Sequence, residues 1–270
     1  MPRSILLAST AAVISAGAAI AAEPPPLPVA PIFTWTGLYL GINIGGHWGG
    51  SATQFTGTDT DGAGLGSALS AGAIPGTGST GAAGVIGGGT IGYNYQWNSF
   101  VLGLEVDVDG ASGRKTLQTI RGPEVGFVPV AFNSSQTLDW LGTLRGRVGL
   151  ALMDRLLIYG TGGFAFGQSV ASFSAVAPTA DPPLAAFAIN RASTGWTAGG
   201  GIEYSFLNNW SVKAEYLYYN LGRTTGTIVY LYSPDFSTLP GVTRHSGNIV
   251  RAGLNYKLSW EAPAPVVAKY

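Results

Sequence analysis

Cysteine is absent from the chain, which excludes a disulfide framework and leaves no thiol to accept a lipid anchor. Charge is scarce: Asp, Glu, Lys and Arg make up 10% of the residues, against about 25% in typical soluble domains. The formal net charge is zero and no basic run occurs, so there is no long-range field to gather nucleic acid, and no nucleic-acid partner is expected. Histidine occurs only twice, at His47 and His245. Beyond the first two dozen residues no apolar run approaches the roughly 18 needed for a helical membrane span.

What remains is glycine and alternation. Glycine fills 41 of 270 positions, about twice its usual share. Leu38, Leu40, Ile42 and Ile44 alternate with Tyr39, Gly41, Asn43 and Gly45, the period of a strand with two unlike faces. The same period recurs near residues 36–49, 84–97, 100–110, 136–151, 156–169, 194–206, 210–221 and 247–260. Each of these eight segments exceeds the roughly 9 to 11 residues that carry a tilted strand across a bilayer.

Connections between the segments alternate in length. Short turns fall at "NS" after Trp97, "MDR" after Leu152 and "NN" after Leu207, and long ones cover 50–83, 111–135, 170–193 and 222–246. Such sorting predicts an all-β fold: an eight-stranded antiparallel up-and-down transmembrane barrel with four long external loops and both chain ends on the periplasmic side. Residues 1–22, with Arg3, an apolar stretch and small residues at Ala19 and Ala21, read as a signal peptide. Residues 23–34 read as a Pro-rich periplasmic linker, 35–260 as the barrel, and 261–270 as a Pro/Ala-rich tail. The first loop, rich in Gly, Ser, Thr and Ala, reads as mobile.

Two residue classes decide which face is lipid-facing. Trp48, Trp97, Trp140, Trp196, Trp210 and Trp260 lie near strand ends on the apolar parity, as the two aromatic girdles of a membrane barrel require. Glu105, Asp107, Asp139, Arg145, Arg147, Glu203, Lys213, Glu215, Arg251 and Lys257 lie on the opposite parity. Facing lipid, an Arg or Lys near the midplane would cost on the order of 2 to 4 kcal/mol, so the charges are expected in the lumen, paired and plugging it. Counting from the short turns puts Glu203 opposite Lys213, Glu105 level with Arg147, Asp107 with Arg145, and Glu215 with Lys257.

The stretches "FTWTGLYLGINIGGHWG", "GVIGGGTIGYNYQW", "YGTGGFAFG", "GWTAGGGIEY", "WSVKAEYLYYNLG" and "NIVRAGLNYK" resemble the small outer-membrane β-barrel, or outer-membrane immunogenic protein, family of Gram-negative alphaproteobacteria. The resemblance runs over roughly residues 33–258. It implies a surface antigen, commonly described as porin-like, that supports envelope integrity. It brings no catalytic residues.

No catalytic, cofactor-binding or metal-binding residue is therefore expected, and no cofactor. Gly87, Gly89 and Gly92 fit G-x-G-x-x-G, but a strand and not a helix follows them. Expected partners are outer-membrane lipids, the barrel assembly machinery and an external ligand held by the loops. The alternative functions are a passive channel for small solutes, a ligand- or haem-binding barrel using His47 and His245, or a rim lipid-modifying enzyme built on those histidines with Asp107, Asp109 and Ser246.

Overall fold

The computed structural model describes residues 33–56, 76–115, 118–121, 131–176, 185–230 and 238–258. The signal peptide, most of the Pro-rich linker, most of the first loop, Trp260 and the 261–270 tail lie outside the described residues. Nine strands follow in order: β1 (Gly37–Phe55), β2 (Thr77–Trp97), β3 (Phe100–Lys115), β4 (Gln118–Arg121), β5 (Ala131–Met153), β6 (Leu156–Val176), β7 (Ala185–Ser205), β8 (Trp210–Tyr230) and β9 (Thr238–Lys257). Eight of them form the wall. The short β4 pairs only with the far end of β5, Gln118 opposite Ser134 through Arg121 opposite Ala131.

All pairings are antiparallel, and β1 with β9 and β3 with β5 close the sheet on itself. Starting at Tyr39 and stepping through Gly92, Glu105, Arg145, Gly163, Thr197, Tyr219 and Gly247, the ladder returns to β1 at Gly49. That stagger of ten residues tilts the strands and leaves an interior that side chains fill. Closure leaves no free edge in the membrane-spanning part of the wall, as hydrocarbon surroundings demand.

The faces are inverted relative to a water-soluble sheet. Ile42, Ile44, Leu104, Val148 and Phe164 are exposed on the outside, Ile44 at 66%, whereas Arg145 and Arg251 inside are at 0% and 1%. Short turns at Asn98–Ser99, at Asp154–Arg155 and over 206–209 mark one end. Asn98 adopts φ 53°, a left-handed conformation that Asn tolerates in tight hairpins.

Each wall strand runs several residues farther toward the long connections than the alternation predicts: β1 to Phe55 and β2 from Thr77, for example. Beyond the bilayer both faces meet water, so hydrogen bonding continues while the apolar/polar period that marks the membrane segment stops.

Candidate functional site

The lumen is layered. At the short-turn end Trp35, Val101, Leu157 and Tyr159 pack together, with Phe33 against them. Toward the long connections lies a second apolar layer that includes Ile86, Leu141, Leu217, Tyr219 and Ile249. Charges fill the space between.

Period two puts Glu105, Asp107 and Asp109 of β3 on one inward line. Arg145 of β5 meets them, donating from Nη2 to Asp107 Oδ2 at 2.7 Å and to Glu105 Oε1, and from Nη1 to Glu215 Oε1 of β8 at 2.8 Å. Arg251 of β9 reaches the same group, with Nη1 2.6 Å from Asp109 Oδ2 and 3.1 Å from Asp107 Oδ1 and Nη2 2.7 Å from Glu215 Oε2. Lys213 Nζ lies 3.0 Å from Glu105 Oε2. Arg147 Nη2 lies 2.7 Å from Glu203 Oε2, and its guanidinium stacks 3.8 Å above the Tyr159 ring.

Neutral donors meet several of the remaining acceptor sites. Tyr39 Oη donates to Glu105 at 2.7 Å, Thr143 to Asp107 at 2.7 Å, and Ser211 and Asn255 to Glu203 at 2.6 and 2.8 Å. Buried charge is tolerated when it is paired and hydrogen-bonded to this degree, and the planar fork of arginine suits several carboxylates at once.

Glycine makes the room. Arg251 faces Gly45, Arg145 faces Gly163, Arg147 faces Gly103, Lys213 faces Gly253, Glu105 faces Gly92 and Glu215 faces Gly201. A Cβ on Gly45 would fall 2.6 Å from the Arg251 Cα, and one on Gly103 2.9 Å from the Arg147 Cγ. These six glycines thus leave space for the charged neighbour on the next strand.

Several expected pairings shift. Glu203 is opposite Lys213 in register, but their ionic partners lie on other strands. Glu105 is opposite Arg145, not Arg147, and Asp107 is opposite Thr143. Glu215 is opposite Arg251, not Lys257. All three shifted pairs belong to strands joined by long connections, where no tight turn fixes the register and the stagger of the closed barrel does. Lys257 stands apart from the network at the base, donating to the Thr34 carbonyl 4.6 Å above the Phe33 ring. Asp139 is exposed rather than lumenal, because a bulge between Leu138 and Trp140 reverses the parity there. Tyr39, Tyr159 and the buried Trp35 join the lumen without having been expected there from the sequence, and Asp109, expected at the rim, joins the charge network instead; Tyr39 and Tyr159 sit on the inward parity in plain sequence.

Of the girdle residues, Trp48, Trp97, Trp196 and Trp210 are exposed on the outer wall. Trp140 is half-buried, 6.0 Å from the Phe166 ring, with its Nε1 donating to Gln168 at 3.1 Å.

The two histidines are neither at a rim nor side by side. Both are buried in the lumen, His47 opposite Ile249 and His245 opposite Ser51, four residues apart in register and so about 13 Å apart along the strands. Ser246 and His245 are consecutive and point to opposite faces, and Asp109 is engaged by Arg251. Neither a paired imidazole site nor a nucleophile and base is assembled from these residues. Voids near the two ends of the lumen measure about 20 and 10 Å³, room for a water or two.

The family model for the outer membrane protein β-barrel domain matches residues 8–257. The 31 kDa outer-membrane immunogenic protein of Brucella melitensis biotype 1 is 33% identical over 263 residues, covering 94% of this chain and 99% of that protein. The protein of the same name from Brucella suis biovar 1 matches to the same extent. A 22 kDa outer membrane protein of Rhizobium leguminosarum bv. viciae is 32% identical over 127 residues, 47% of this chain and 48% of its own length. A closed wall with an apolar exterior, a charged interior and near full-length similarity to these proteins have one reading: the chain belongs to the outer-membrane β-barrel protein family and resides in the outer membrane of a Gram-negative cell.

Proposed function

We propose that the protein is a structural, non-catalytic barrel that displays its long connections as surface antigen, supports envelope integrity and does not conduct solutes. The observation that carries this reading is the cross-lumen network: Arg145, Arg251, Glu105, Asp107 and Glu215 come from four strands and meet at the centre with at most 2 to 3% exposure. A conducting pore needs a continuous water path lined by groups that bind weakly and release. Here the charges bind one another, and apolar layers close the lumen on both sides of them. The Brucella relatives are named as immunogenic outer-membrane proteins, which supports display at the surface.

The experiment is single-channel recording of refolded protein in a planar bilayer, with heat-modifiable gel mobility as proof of folding. Folded protein is expected to give no steady conductance. Large, steady openings from heat-modifiable protein would establish the passive channel instead.

A further inference from the structure

The outer wall carries two arginines that strand alternation alone would keep apart. Tyr219 and Leu221 point into the lumen, so strict alternation sends residue 223 inward as well. A bulge intervenes. Asn220 is opposite Ser246, and the next partners are Arg223 and Arg244, three residues on along β8 but two back along β9. Gly222 supplies the extra residue at φ +78°, its N–H donating to Asn220 Oδ1 at 2.9 Å, a conformation that glycine adopts at least cost. Arg223 therefore emerges on the outer face, exposed and directly opposite the exposed Arg244, whose neighbours Thr243 and His245 are buried.

Two like charges directly opposite on one face, with Cβ atoms about 5 Å apart, repel. Among the described residues neither arginine forms an ion pair. The arrangement calls for an anion from outside the chain.

Height in the membrane identifies where that anion sits. From Tyr256 near the base to Asn248 the tilted β9 climbs about 21 Å, close to the roughly 25 Å apolar band of such barrels. Arg244 lies four residues beyond Asn248, about 10 Å farther out, in the headgroup zone of the outer leaflet. Directly below the arginines the wall has an open groove of about 470 Å³, lined by Trp48, Gly50, Gly81, Ala83, Tyr218 and Asn248 among others. The missing side chains at Gly50 and Gly81 make the depression, and the Trp48 and Tyr218 rings flank it.

We infer that this face is a binding site for a phosphorylated glycolipid of the outer leaflet, with phosphates held by Arg223 and Arg244 and an acyl chain lying in the groove below. Guanidinium forks take phosphate bidentately. An aromatic ring beside the groove offers a flat surface to a sugar.

The test uses the full barrel refolded in zwitterionic detergent and titrated with diphosphoryl lipid A, its fully dephosphorylated form, or phosphatidylglycerol, read by tryptophan fluorescence and by the midpoint of heat modification. Diphosphoryl lipid A is expected to raise the midpoint and the other two to leave it unchanged. Arg223→Ala and Arg244→Ala should each weaken binding about tenfold. Gly81→Leu, whose Cβ would meet only the Gly49 carbonyl at 3.8 Å, should fill the groove and weaken binding with both arginines in place. It also decides the matter if the double arginine variant does not fold. Wild-type affinity in the double variant or in Gly81→Leu would overturn the proposal, as would arginine-dependent binding of phosphatidylglycerol equal to that of the glycolipid.

Discussion

Glu203 and Lys213 face each other across β7 and β8, yet each is bonded elsewhere: Glu203 to Arg147 of β5 at 2.7 Å, and Lys213 to Glu105 of β3 at 3.0 Å. In a closed barrel this narrow, a long side chain reaches the opposite wall as readily as its neighbour. Orientation then follows the shared carboxylate and not the nearest strand.

A double-mutant cycle should reflect that. Glu203→Gln with Arg147→Met is expected to show a coupling of about 1 to 3 kcal/mol, and Glu203→Gln with Lys213→Met less than half as much, in urea unfolding from lipid vesicles. A larger coupling for Glu203 with Lys213 would mean that adjacent-strand pairing governs the network.

Arg251 reaches Asp107, Asp109 and Glu215, sharing Asp107 and Glu215 with Arg145 while Asp109 has no other ion pair among the described residues. Its replacement by Met leaves the buried Asp109 without a cation and Asp107 and Glu215 with Arg145 alone, and is expected to cost about 3 to 5 kcal/mol. Adding Asp109→Asn removes the carboxylate at 2.6 Å and should restore part of the loss. Unfolding midpoints that fall further in the double variant would count against this account of the hub.

The outer face gives the opposite sign to a soluble protein. Ile44, 66% exposed outside the wall, becomes costly when charged: Ile44→Arg should lose about 2 to 4 kcal/mol in vesicles. Ile44→Ala should lose far less. A neutral or stabilising Ile44→Arg would contradict lipid at this position.

Two glycines on facing strands should respond differently to the same side chain. Gly45 points inward against Arg251, where a Cβ would lie 2.6 Å from its Cα, whereas at Gly89 the nearest atom would be the Gly41 carbonyl at 3.9 Å. Gly45→Val is expected to abolish heat modification and Gly89→Val to preserve it. Equal tolerance would show that glycine here does not serve to make space.

Barrel closure by β1 and β9 is complete from Tyr39 opposite Lys257 to Phe55 opposite Gly241. A chain lacking residues 261–270 is therefore expected to refold into a heat-modifiable barrel. Tyr256→Asp, which removes the ring 4.9 Å from Trp210 on the outer wall, should not. Failure of the tail deletion alone would assign the assembly signal to the tail.

Much of the architecture was legible in the chain itself because lipid and lumen impose opposite chemistry on alternate residues. The parity of Val250, Ala252, Leu254 and Tyr256 against Arg251 and Asn255 determined which face met lipid, and alternating connection lengths determined the strand number. The sequence also placed Glu203 opposite Lys213, since a short turn joins their strands and fixes the register locally. Only the closed barrel decided that Glu105 meets Arg145 and Glu215 meets Arg251, because the strands concerned are joined by long connections and aligned by the stagger of the whole wall. Bulges were equally beyond a period-two reading: one extra residue turned Asp139 out of the lumen and set Arg223 beside Arg244. A parity rule is local, and a bulge changes it at one residue whose cost or gain is determined by what the next strand presents.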